Sequence, residues 1–161
     1  MNKFEIVKHI ATLVKCDKLV ITGSLALEFH GFRVEKNDVD LILVNPDKAS
    51  VEMLKRLQEE NPTPYGHKYP GTLPISFIME EIYVDIFIYD NDYEYTELKA
   101  QGFFIAKIDQ IVSAKVSLNR EKDWVSLARL ARQIFNSGQF NKFLDQGYSI
   151  LPESSKKIKK S

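Results

Sequence analysis

The stretch that decides the reading is Leu19-Val20-Ile21-Thr22-Gly23-Ser24, followed thirteen residues later by Asp38-Val39-Asp40-Leu41. An apolar run ends in Gly-Ser and gives way to a short helical segment, Leu25 to His30, with a turn at Gly31. A second apolar run, Val39 to Val44, opens on Asp38. Side chains alternate along a strand, so Asp38 and Asp40 share one face. The rest of that strand, Val39, Leu41, Ile42, Leu43 and Val44, reads as buried on both faces. Two anions in such a place repel one another and lose hydration, so they call for cations. Divalent metal answers that demand, and Mg²⁺ takes carboxylate oxygens with a phosphate completing its shell. A strand that ends in Gly-Ser and opens a helix offers backbone N–H groups to an anion. Carboxylates for metal beside a cradle for phosphate point to phosphoryl or nucleotidyl transfer.

A third carboxylate lies further along. The run Ile75-Ser76-Phe77-Ile78, the turn at Glu80-Glu81 and the run Ile82 to Tyr89 predict an antiparallel hairpin. Asp85 falls inside its second strand, with Tyr83, Phe87 and Tyr89 on one face and Ile82, Val84, Ile86 and Ile88 on the other. Both faces are largely apolar, which predicts an interior strand and makes a lone Asp85 costly. It is read as the third metal ligand. A salt bridge to Arg33 or a lysine is the structural alternative.

Gly-Ser, thirteen residues and Asp-x-Asp, with Asp85 on a later strand, together resemble the signature of the DNA polymerase beta-type nucleotidyltransferase superfamily. Many members carry threonine two residues before the first aspartate, where this chain has Lys36. The stretch Lys115…Arg120-Glu121-Lys122-Asp123-Trp124 is similar to the C-terminal part of abortive-infection toxin relatives, in which a lysine and an acidic residue line the cleft. The resemblance implies an α/β (α+β) fold, a small mixed sheet flanked by helices with C-terminal helices. It implies transfer of an NMP from an NTP to an acceptor hydroxyl with release of pyrophosphate. Asp38, Asp40 and Asp85 would hold two Mg²⁺ ions, with Mn²⁺ as the alternative, and Asp85 would also accept the acceptor's proton. Gly23, Ser24, Lys115 and Asp123 would bind the nucleotide. Ser24 would hold a phosphate through its hydroxyl and N–H, and Gly23 would let that phosphate approach. The acceptor would be a protein, a tRNA end or a small molecule, and a cognate antitoxin would be a candidate partner. An inactive nucleotide-binding or partner-binding module on the same fold is the other reading. For Lys115 the structural alternative is a snorkelling lysine, and for Asp123 a helix N-cap.

Composition bounds these readings. The chain has 161 residues with 44% apolar side chains, enough for one core. Lysine plus arginine and aspartate plus glutamate each number 22, a formal net charge of zero, which argues against a dedicated basic nucleic-acid binder. The single cysteine, Cys16, cannot form an internal disulfide and suits a reducing cytoplasm. It reads as a small packed residue rather than a nucleophile. No leader peptide is evident, and no apolar run reaches the ~20 residues of a membrane span.

Around the core motif the periodicities predict helices over 3–16, 47–60, 107–119, 123–136 and 139–146, a strand over 18–22 and a short strand near Phe103-Phe104-Ile105. In the 123–136 helix the expected buried residues are Trp124, Leu127, Ala128, Ala131, Ile134 and Phe135. The loop over 61–74 holds four of the six prolines, and its Tyr65, His67, Lys68 and Tyr69 read mainly as surface packing. The expected organisation is a core over 1–106, C-terminal helices over 107–150 packed on it, and a basic tail over 151–161.

Overall fold

The apolar alternation in the first hundred residues builds a six-stranded mixed sheet in the computed structural model, which describes residues 1–64, 74–90 and 97–136. The elements run α1 (Lys3–Leu13), β1 (Lys18–Thr22), α2 (Gly23–Phe29), β2 (Asp38–Val44), α3 (Lys48–Glu60), β3 (Ile75–Met79), β4 (Ile82–Tyr89), β5 (Glu97–Ala100), β6 (Phe103–Ala106), α4 (Ile108–Leu118) and α5 (Glu121–Asn136). The chain forms two compact units, Met1–Ala106 and Lys107–Ser161.

The strand order is β3-β4-β2-β1-β6-β5. The β1–β2, β3–β4 and β5–β6 pairs are antiparallel, and the β2–β4 and β1–β6 pairs are parallel. This is the mixed α/β architecture that the sequence predicts. The strand β5 is an addition: residues 93–106 read as a mixed segment with one short strand. Its pairing depends on the turn at Gln101-Gly102, where both residues have positive φ (51° and 84°). Glycine takes such a conformation at no steric cost.

The sheet has two unlike faces. Ile21, Val39, Leu41, Leu43, Phe77, Val84 and Ile86 are wholly buried on one of them. Helices cover this side. The ring of Phe4 in α1 meets Phe29 of α2 at 5.4 Å and Phe103 of β6 at 5.5 Å, both edge to face, a favoured aromatic arrangement. Ile6, Val7 and Ile10 of α1, Leu25 and Leu27 of α2 and Leu54 of α3 complete the core. Caps fix the helix starts. Asn2 and Glu5 form a reciprocal capping box on α1, and Asp47 accepts from the Ser50 N–H at 2.8 Å on α3, satisfying N–H groups that have no partner inside the helix.

The opposite face carries Asp38, Asp40 and Asp85 and is only partly closed. Tyr83 is 38% exposed there, so β4 is not interior on both faces as its composition predicts. The central β2 is, with Val39 and residues 41–44 all buried.

In the second unit α4 buries Ile108, Ile111 and Val112. Helix α5 differs. It buries Asp123, Leu130 and Ile134 and leaves Trp124, Ala128, Ala131 and Phe135 exposed. The apolar residues of this helix make two adjacent stripes, and the face with Leu130 and Ile134 is the one turned inward. The predicted helix over 139–146, the aromatic loop residues Tyr65, His67, Lys68 and Tyr69, and the basic tail lie outside the described residues. No helix among the described residues is long and apolar enough to cross a membrane.

Candidate active site

Strand register makes the site. Asp40 on β2 pairs with Asp85 on β4 and with Thr22 on β1, and Asp85 pairs with Ser76 on β3. Paired residues on adjacent strands point to the same face. Ser76, Asp85, Asp40 and Thr22 therefore form one polar row across four strands of an otherwise apolar sheet. Asp38, two residues before Asp40, stands on the same face and pairs with Tyr83. The three aspartates are all half-buried.

The Gly-Ser turn closes on this row. Gly23 has φ of +63°, and a β-carbon placed there would lie 2.3 Å from Oδ2 of Asp40. Glycine is thus required by the carboxylate that packs against it as well as by its own backbone. Ser24 is buried, and its hydroxyl donates to Oδ1 of Asp38 at 2.7 Å. The hydroxyl that the sequence assigns to a phosphate orients an aspartate here. On the other flank the Ser76 hydroxyl, also buried, donates to Oδ1 of Asp85. Asp40 is not isolated, yet its Oδ1 is buried and receives no hydrogen bond.

Neighbouring contacts fix the strand ends around the acids. The Tyr83 N–H donates to the Asn37 carbonyl at 3.2 Å, and Asn37 Nδ2 donates to the Glu81 carbonyl at 3.2 Å. The residue preceding Asp38 is thereby tied to the β3–β4 turn. Lys3 Nζ donates to the Lys36 carbonyl at 2.9 Å and pairs with Glu28, which pins the loop before β2 to α1 and α2. At the end of α2, His30 Nε2 stands 2.8 Å from the Ala106 carbonyl. A carbonyl only accepts, so this contact requires the Nε2–H form.

Three carboxylates on one face suit a hard divalent ion in donor type. As they stand, however, Asp38 and Asp85 are each turned onto a serine. Among the described residues no three His, Cys, Asp or Glu side chains are arranged to hold a metal ion. The donor chemistry and the shared face fit such an ion, and the side-chain rotamers need to swing for it.

Lys115 and Asp123 belong to the second unit. Lys115 is half-buried on α4. Asp123 is buried in the first turn of α5, and its carboxylate accepts from Arg120 Nε at 2.6 Å, from a terminal guanidinium nitrogen at 3.0 Å and from the Arg120 N–H at 3.2 Å. It is thus not the N-cap but an acid inside the first turn reaching back to the residue before the helix. Burial pushes its carboxyl up, and the hydrogen bonds and charge of Arg120, with a smaller pull from Lys115, hold it below the ordinary carboxylate value.

A groove of about 360 Å³, lined by residues that include Cys16, Lys18 and Phe104, sits at the Lys18 end of β1, away from Gly23. Burial raises the Cys16 thiol above its usual value, which disfavours the thiolate.

Ser76 and Thr22 are the site residues that motif reading misses. The signal for Ser76 was present: a two-residue turn at Glu80-Glu81 pairs Met79 with Ile82, and counting back pairs residue 76 with residue 85.

No protein-family model matches the chain, and no curated protein matches it either. Among solved structures, the crystal structure of a Thermotoga maritima protein named only provisionally as a nucleotidyltransferase matches with a TM-score of 0.44 and 18% identity, over 85% of this chain and 96% of that one. At that score and identity the likeness bears no weight for function.

Proposed function

We propose that this chain is a metal-dependent nucleotidyltransferase that moves an NMP from an NTP to an acceptor hydroxyl. The observation that carries the reading is the direct register pairing of Asp40 with Asp85, with Asp38 on the same face. Three half-buried acids on one face repel one another, and a bound cation would offset that repulsion. The resemblance of the Gly-Ser and Asp-x-Asp motif points the same way.

In this reading the acceptor oxygen attacks the α-phosphorus, the bond from phosphorus to the pyrophosphate oxygen breaks, and the acceptor proton passes to Asp85. Asp38 and Asp40 would hold the divalent ion. A divalent ion, when bound, neutralises phosphate charge and eases loss of the acceptor proton. Gly23 keeps the turn close against Asp40. Ser24 fixes Asp38 through its hydroxyl. Positioning and charge stabilisation carry most of the rate in such chemistry, so this short set is sufficient. Lys115 and Asp123 are assigned to the nucleotide through the resemblance alone.

The test is incubation with α-labelled NTPs and Mg²⁺ or Mn²⁺ against purified protein, total RNA and lysate. Label should move to one acceptor class, and Asp40→Asn should abolish the transfer. Transfer that persists unchanged in Asp40→Asn sinks the proposal.

A second reading, an inactive nucleotide-binding module, has one observation in its favour. Asp38 and Asp85 are each satisfied by a buried serine, so the acids stand without closing on an ion. Binding of an NTP analogue without turnover on any acceptor would select it.

A further inference from the structure

We propose that the outer face of α5 docks single-stranded RNA, with Trp124 stacked on a base and Lys122, Arg129 and Arg132 on the phosphates. The formal net charge of zero hides two unequal halves. Residues 1–106 hold 11 lysines and arginines against 17 aspartates and glutamates. Residues 107–161 hold 11 against 5. Such asymmetry marks the second unit as the one that suits an anionic partner. On α5 the excess is gathered on one stripe. Lys122, Val125, Arg129 and Arg132 recur at helical spacing and are all exposed, over about 15 Å of the helix axis. None of these three cations takes part in an ion pair among the described residues. The acids of α5 do not offset them. Asp123 is buried on Arg120, and Glu121 alone is exposed.

Beside that stripe stands the one tryptophan of the chain. Trp124 is 49% exposed, and its Nε1–H donates to Oδ1 of Asn119 at 2.7 Å. The bond fixes the indole at the surface, and stacking uses the ring face rather than that N–H. Bases stack on aromatic side chains whatever their sequence, while cations alongside track the backbone. Unpaired bases are what proteins ordinarily recognise in RNA, in its loops and ends. Two other occupants fit less well. A second copy seated two-fold on this face would set the cation stripe against itself. A membrane surface calls for a broad apolar face, and here the small Ala128 and Ala131 fill the middle of the exposed apolar stripe.

The experiment is titration of fluorescein-labelled oligouridylate of about twelve nucleotides with the full chain, followed by anisotropy. Leaving out NTP and metal separates the result from the transferase reading. Wild type should bind with a Kd of about 1–100 μM, and three phosphate contacts should give a slope of log affinity on log salt of about −2. Arg129→Gln with Arg132→Gln should weaken binding and bring that slope to about −0.7. Lys55→Gln with Arg56→Gln, which removes the same charge from exposed positions of α3, should change neither. Trp124→Ala should weaken binding about fivefold or more, and Trp124→Phe, which keeps a ring, should stay within about threefold. Should Trp124→Ala fail to fold, Trp124→Leu takes its place. Wild type that does not bind overturns the inference, as do equal losses in the two double variants, which mark net charge alone. Wild-type affinity in Trp124→Ala or Trp124→Leu overturns it, and so does equal or tighter binding of duplex DNA of the same length. Without RNA binding, a Trp124 emission shift on phosphatidylserine vesicles assigns the face to a membrane, and a dimer that Trp124→Ala abolishes assigns it to a second copy. Either result overturns the RNA assignment.

Discussion

A β-carbon on Gly23 would lie 2.3 Å from Oδ2 of Asp40. No real contact of that kind is that short, so any other residue at 23 must displace the aspartate or the turn. Alanine would also be held at positive φ, which costs about 1–2 kcal/mol for an L-residue. Gly23→Ala should therefore destabilise the protein by at least about 1 kcal/mol in a urea titration. It should also weaken Mn²⁺ binding, because Asp40 shifts. A variant that loses stability but binds the ion as wild type would show that the turn does not fix the carboxylate.

Asp38→Asn, Asp40→Asn and Asp85→Asn should each lower NMP transfer by about 100-fold or more, beyond what loss of an outer partner causes. They should not lower the melting temperature of the metal-free protein. Each removes one negative charge from a group of three and so relieves repulsion. Calorimetry without metal, set beside the transfer assay, checks both halves. Melting that falls in step with activity would mark the acids as structural.

The β3–β4 hairpin turns on Glu80 and Glu81, both at positive φ (49° and 68°). Such turns favour Asn-Gly because branched carbon at those positions is strained. The β5–β6 hairpin solves the same problem with Gly102. Glu81→Gly should stabilise the protein by about 1 kcal/mol, and the melting temperature should rise by about 2–4 °C. The carbonyl that accepts from Asn37 is retained, so metal binding should not change.

Asp123 sets an acid-side signature. Its folded pKa is depressed below the ordinary aspartate value of about 3.9 by Arg120, which outweighs burial. A depressed carboxyl contributes stability in full above the unfolded value and loses it as pH falls through the folded one. Urea midpoints measured from about pH 6 down to about pH 2 should drop in that window. Asp123→Asn should be less stable at neutral pH and show a flatter acid limb. Parallel curves for the two proteins would assign the acid sensitivity elsewhere.

Much of the fold was legible because alternation and capping are local. The run Val39 to Val44 names an interior strand, and two acids spaced by one residue must share its face. That Asp85 sits on that face, directly beside Asp40, follows from a parallel pairing of strands some forty residues apart, which no local pattern encodes. Ser24 shows the other limit. Its place at the turn was readable, but the partner of its hydroxyl depends on where Asp38 lands. In α5, Trp124 and Phe135 looked like core because they are large and apolar. The inward face was chosen instead by Leu130, Ile134 and the Arg120–Asp123 pair, which a wheel of hydrophobicity does not weigh.

The strand β1 lies between β2, its near neighbour in sequence, and β6, which arrives more than eighty residues later. During synthesis the Gly-Ser turn and both aspartates of β2 leave the ribosome long before Phe103–Ala106 does. Until then one side of β1 has bare amides and carbonyls, an open invitation to pair with another nascent chain. The ion pair between Lys18 and Glu97 acts as the clasp that shuts this seam once the last strand arrives.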